Sequence, residues 1–199
     1  MIKVGNVWHS AFPDSKGTRA PIVKNRGQAT VASYKSLTGG HAMMYLEYLD
    51  EMGFLVTRKV HLVAGLGGSQ RAEAVGSGSS ASGFGANEIE ILDEEKGVFH
   101  PGSKDAPEED RSDDYYYTAY PMTDAQRASL DAAIRRFIAK NAKGRYTYRI
   151  AGGVIGRLTT APKVRGVNCA DFIIKVLDEA GIAHIKSKVF NTPSRVAGH

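Results

Sequence analysis

Cys169 is the only cysteine in the chain, and it stands in the run Asn168-Cys169-Ala170-Asp171-Phe172. Asn168 is a good helix N-cap, Asp171 puts a carboxylate in the first turn, and Gly181 suits the C-cap, so residues 168–181 read as a helix. The thiol then sits in the first turn. Unpaired N–H groups and the helix dipole favour thiolate over thiol there. Such a setting brings a cysteine pKa from about 8.5 into the range of about 3.5–7.5. The same N–H groups can hold a developing oxyanion. Asp171 opposes the thiolate. The plainer reading is a small buried hydrophobe, because Cys169 precedes Phe172 and Ile173 by three and four residues on the core face.

A nucleophilic thiol needs a base. The histidines are His9, His41, His61, His100, His184 and His199. His41 follows Gly39-Gly40 and is read as the first residue of a strand, which presents its imidazole at the rim of a sheet. The plainer reading is a strand-end histidine facing water.

The elements that must position these groups follow from patterning. Residues 1–40 are polar and rich in Gly, Pro, Lys and Ser, which predicts loops and one short strand. The runs 41–49 and 54–65 are rich in β-branched, aromatic and other apolar residues, and Asp50 to Gly53 lie between them; this predicts a β-hairpin. Residues 88–92 alternate carboxylate and apolar side chains, and 115–122 (YYYTAYPM) is apolar and aromatic; both predict strands. Thr123 and Gln126 form a capping box ahead of a helix whose stripe is Leu130, Ile134, Phe137 and Ile138. Gly144 can stop that helix. Strands, helix, loop, helix in that order give an α+β class, with an antiparallel sheet packed against helices.

Gly-Gly-His-Ala at 39–42 opening a strand, Tyr120-Pro121-Met122-Thr123 leading into a long helix, Tyr146, and Asn168-Cys169-Ala170-Asp171-Phe172 opening a second helix together resemble the circularly permuted papain-fold cysteine hydrolases. These are the permuted relatives of the NlpC-type cell-wall peptidases, in which the histidine strand precedes the cysteine helix. The likeness covers about residues 39–182 of a single 1–199 domain, with 1–38 as an N-terminal extension. It implies Cys169 as nucleophile, His41 as general base, and Asn168 and Tyr146 as substrate-binding residues, with no cofactor. It also implies a third polar residue that orients the histidine. Glu47 is six residues along the strand, about 20 Å away at about 3.3 Å per residue, and is excluded. His61 lies in the partner strand. A turn over 50–52 pairs it directly with His41; a turn over 50–53 brings Leu62 opposite instead and turns His61 to the other face. Asn168 and Glu73 are further options, and His61 is the expected third residue.

Composition narrows the rest. The 199 residues carry a formal charge of +5, spread over scattered basic pairs, which suits acidic partners such as a cell-wall polymer, anionic lipid or nucleic acid. One cysteine excludes an internal disulfide and a thiolate-rich zinc site. No apolar run approaches the roughly 20 residues that span a bilayer, and the N-terminus has no signal-peptide pattern. The glycine-rich run 65–85 lacks the strand-then-helix setting of a dinucleotide fingerprint, and the acidic stretch 105–114 lacks the EF-hand spacing.

The expectation is a cysteine amidase or peptidase acting on peptidoglycan peptides. It is made in the cytoplasm, and the resemblance points to a toxic effector carried to a periplasm by a secretion machine of the type VI kind, partnered there by an immunity protein. On this reading no nucleic acid is bound and no membrane is entered. Two alternatives stand beside it: a lipid acyltransferase or thioesterase on the same fold, and a non-catalytic basic binding module in which Cys169 is structural.

Overall fold

In the computed structural model, the described residues are 2–14, 16–34, 41–64, 89–96, 115–148, 165–188 and 191–198. Gly39-Gly40, the glycine-rich run 65–85 with Glu73, His100, the acidic stretch 105–114 and His199 lie outside them.

Ten strands and three helices are described, in the order β1 (Ile2–Val4), β2 (Val7–Pro13), β3 (Arg19–Ile22), β4 (Gly27–Tyr34), β5 (Ala42–Leu49), β6 (Leu55–Ala64), β7 (Ile89–Lys96), β8 (Tyr115–Met122), α1 (Asp124–Asn141), β9 (Tyr146–Tyr148), β10 (Arg165–Val167), α2 (Cys169–Glu179) and α3 (Pro193–Val196). The central sheet has the order β7-β6-β5-β4-β8 and all its pairings are antiparallel. The α+β expectation is met at this level.

β5 is the strand on which the architecture turns, and it is buried along nearly its whole length. Ala42, Met44, Leu46 and Tyr48 join the main core with Leu130, Ile134 and Phe137 of α1 and the apolar face of α2. Met43 and Tyr45 point the other way, into a second cluster with Phe12 and Ala32. A strand covered on both faces reads as an unbroken apolar run rather than an alternating one, which is why 41–49 stood out in the sequence. Helix docking adds ion pairs, Arg58 to Asp131 at 2.7 Å and Arg136 to Glu179 at 2.9 Å, and a T-shaped contact between Phe137 and Phe172 with centroids 5.0 Å apart.

The first forty residues correct the sequence reading. Their described part forms four strands rather than loops with one short strand. β4 lies inside the central sheet, between β5 and β8. β1, β2 and β3 make a small sheet, and Phe12 of β2 packs in the second cluster. The reason lies in residue type. Ser10, Gln28 and Thr30 are polar, short or both, yet all are buried. They are satisfied by one another: Gln28 Nε2 donates to Ser10 Oγ at 2.6 Å and to Thr30 Oγ1 at 3.0 Å. A buried polar side chain is tolerated when bonded, but to a hydropathy pattern it looks like loop.

Both helices start where the caps predict. Thr123 Oγ1 accepts from the Gln126 N–H at 3.2 Å, and Gln126 Oε1 accepts from the Thr123 N–H at 3.0 Å. Gly144 takes φ +65°, a left-handed conformation that glycine adopts without a Cβ clash. Ile138, placed on the apolar stripe by spacing, is 44% exposed instead; the buried positions of α1 are Leu130, Ala133, Ile134 and Phe137. Among the tyrosines of β8, Tyr116 packs toward the main core and Tyr117 toward the second cluster. Among the described residues, no helix is long and apolar enough to cross a membrane.

Candidate active site

α2 begins at Cys169, after an N-cap at Asn168. Asn168 Oδ1 accepts from the Asp171 N–H at 2.9 Å, and Asp171 Oδ2 accepts from the Asn168 N–H at 3.3 Å. This reciprocal pair satisfies two of the donors that a helix start leaves orphaned. It holds Cys169 in the first turn, against the sheet. The Ala42 N–H, at the first residue of β5, donates to Cys169 Sγ at 3.4 Å. A contact across 127 residues of sequence thus brings the cysteine helix to the start of the histidine strand.

His41 immediately precedes Ala42. Its Nε2 lies 2.7 Å from His61 Nδ1, and the two rings meet edge to face with centroids 5.0 Å apart. The register explains the meeting. The β5–β6 turn covers 50–54, because Leu49 pairs with Leu55 and Met44 with Val60; both shorter turns considered from sequence are replaced. Phe54 is drawn into the turn by its N–H, which donates to Asp50 Oδ1 at 2.7 Å, while Gly53 takes φ +83°. Continued toward the strand start, this register sets His41 across from Val63. His61, two residues from Val63, shares that face and is a diagonal neighbour, within reach of a long side chain.

Electrostatics at the site are ruled by burial. Desolvation, followed by the charges of His61 and Lys59, brings the His41 pKa down to about 3. Desolvation pushes the Cys169 thiol up to about 11. The N–H groups of Ala42, Ala170 and Cys169 pull the other way, and Asp171 adds a smaller upward push. The helix start acts in the direction expected from sequence, but removing the thiolate from water costs more. The resting pair is therefore a neutral thiol and a neutral imidazole, not a preformed ion pair. No hydrogen bond joins His41 to Cys169; they are linked through Ala42.

The other sequence candidates have different work. The Asn168 side chain caps α2 and donates through Nδ2 to the Asn191 carbonyl at 2.8 Å, at 2% exposure. Tyr146 stacks on Phe137, centroids 4.3 Å apart and planes within 11°. Asn168 is thus buried and fully engaged at the helix start, while Tyr146 is half-buried against the α1 face. Glu47 accepts from Ser10 Oγ and from the Ala11 N–H at 2.9 Å, so it is bonded elsewhere, in keeping with its exclusion on distance.

Sequence reasoning missed two neighbours. Tyr148 pairs in parallel with Val167, two residues before Cys169. Its pKa is raised by burial and then by the nearby Cys169; only the alternation in YTY (146–148) hinted at a strand there. Asn191 had no sequence signal at all. Its Nδ2 donates to Asp171 Oδ1 at 2.6 Å. Among the described residues, no group of three or more His, Cys, Asp or Glu side chains is arranged to hold a metal ion. Comparison with protein-family models, with curated proteins and with solved structures gives no match to this chain.

Proposed function

We propose that this protein is a cysteine hydrolase that cleaves amide bonds, with Cys169 as nucleophile, His41 as base and His61 orienting His41. One observation carries the reading: a cysteine in the first turn of a helix is held against the backbone of residue 42, while residue 41 is a histidine whose Nε2 is bound by a second histidine. In the tautomer in which His41 Nε2 donates to His61, His41 Nδ1 is the basic nitrogen.

The steps follow. Sγ bonds to the carbonyl carbon as the thiol proton passes to His41 Nδ1. The N–H groups at the start of α2 are donors for the oxyanion. The C–N bond then breaks, and His41 returns the proton to the leaving amine. Water, deprotonated by His41, attacks the thioester; the C–S bond breaks and the thiol is restored. The imidazole must turn toward the thiol for the first transfer. Catalytic hydrogen bonds often form only in the substrate complex.

The resemblance of residues 39–182 to permuted NlpC-type hydrolases makes peptidoglycan peptides the first substrate class, and the +5 charge suits an acidic wall polymer. The test is release of new amino groups from purified peptidoglycan, followed by mass spectrometry, for the native protein and Cys169→Ala. Release that depends on Cys169 supports the proposal. Release that survives in Cys169→Ala sinks the assigned nucleophile. No release, together with no acyl adduct at Cys169 from an activated ester, returns the chain to a binding module.

A further inference from the structure

Asn191 is buried, at 2% exposure, and every polar atom of its amide is bonded. Nδ2 donates to Asp171 Oδ1 at 2.6 Å and to Ser187 Oγ at 3.0 Å. Oδ1 accepts from the Lys188 N–H and from Arg195 Nη1, both at 3.0 Å. Its carbonyl accepts from Asn168 Nδ2 at 2.8 Å. Asn191 therefore grips both members of the capping box that starts α2, Asp171 through its side-chain amide and Asn168 through its backbone carbonyl.

The segment that carries Asn191 is itself anchored at its far end. Val196 and Ala197 are buried in the main core, and Thr118 Oγ1 of β8 donates to the Ala197 carbonyl at 3.0 Å. A strap running from 191 to 198 thus ties the start of α2 to the opposite edge strand of the central sheet. An N-cap by itself needs no such tether. A second buried amide that fixes the cap from outside the helix is what precise placement of the first turn requires.

We propose that Asn191 is a positioning residue for Cys169: it locks Asn168 and Asp171 so that the first turn of α2 presents the thiol at Ala42 and keeps the Asp171 carboxylate turned from it. This rests on the reading of Cys169 as nucleophile, yet it is tested on the thiol itself, without substrate.

The experiment is the pH profile of Cys169 alkylation by iodoacetamide, read by mass spectrometry on the full chain, with Cys169→Ala as the thiol-free control. The variants are Asn191→Ala, Asp171→Asn and the exchange Asp171→Asn/Asn191→Asp. The exchange keeps one carboxylate and one amide in contact and leaves Lys188 and Arg195 facing a carboxylate at 191. In Asn191→Ala the Asp171 carboxylate loses the amide that holds Oδ1 while keeping the Asn168 N–H on Oδ2; it shifts toward the thiol, so the midpoint rises by about 0.5–1 pH unit, the lower end of a close like-charge effect. The exchange reverses that rise. A support role confined to folding would lower the melting temperature of Asn191→Ala and leave the midpoint of the folded protein in place, which overturns the proposal. So does an exchange that fails to reverse the shift. If Asn191→Ala does not fold, Asp171→Asn and the exchange decide: distinct profiles uphold the coupling, and coincident ones refute it. Loss of the hydrolase reading alone would show as amide cleavage independent of Cys169, with these profiles unaffected.

Discussion

His41→Ala separates two ways in which a histidine can serve a cysteine. In one, the imidazolium holds a thiolate before substrate arrives; in the other, the imidazole takes the proton only during attack. The structure favours the second, since burial raises the Cys169 thiol to about 11 and lowers His41 to about 3. With a midpoint near 11, about one thiol in 10,000 is ionised at pH 7, and alkylation should climb about tenfold per pH unit up to pH 10. No hydrogen bond links the two side chains, so His41→Ala should move that profile by less than about half a unit, the scale of a lost indirect contact. Amide cleavage should nonetheless fall by about 10²–10⁴, the worth of a positioned general base, or about 3–5.5 kcal/mol of barrier. Iodoacetamide kinetics from pH 6 to 10.5 and amine release at pH 7 measure the two arms on the same preparations. A native midpoint below about 8, well under the free-thiol value, or an upward move of more than a unit in His41→Ala, would show a preformed ion pair. The argument that burial outweighs the helix start would then be wrong.

Two further outcomes test the packing around the site. His41 has an unfolded value of 6.5 and a folded value of about 3, so between these the unfolded chain binds a proton that the folded chain refuses. Its stabilising contribution is complete above pH 6.5 and is lost as pH falls toward 3, at up to about 1.4 kcal/mol per unit. Burial raises Glu47, whose contribution runs the opposite way, so the measurement is the difference in urea stability between native protein and His41→Gln. That difference should change steadily from pH 6.5 to 4; a constant difference refutes the lowered His41 pKa. Gly27→Ala would set a Cβ 2.5 Å from the Glu47 carbonyl oxygen and 3.0 Å from Tyr48 Cβ. Backbone cannot yield as a side-chain tip does, and the cost should be about 1–3 kcal/mol, seen as a lower melting temperature; an unchanged one would show that β4 and β5 are not packed this closely.

Much of this arrangement was legible in the residues. The caps Thr123 and Asn168 start their helices where a short polar side chain can accept an N–H, and that chemistry is local. β5 and β8 were readable because apolar content is high in strands that carry the core. The early strands were not, because the buried polar cluster of Ser10, Gln28 and Thr30 is completed by pairings of Ser10 with Gln28 and with Glu47, partners that no window of neighbouring residues contains. The meeting of His41 and His61 hung on one turn. Sequence could state that parity decides the face, but not that Phe54 would be drawn into the turn by Asp50.

By itself, then, the sequence determined the residue types able to react, the helix that carries Cys169, the strand that follows His41 and the order in which they come. Tertiary structure decided what those groups are at rest. Whether Cys169 is thiol or thiolate depends on how much water the sheet and β10 remove from it, set against three N–H groups, one of which arrives from residue 42. Whether α2 starts firmly depends on Asn191, twenty residues beyond the carboxylate it holds. Desolvation and buried hydrogen bonds are properties of a packed volume, and a linear pattern records only which residues are available to fill it.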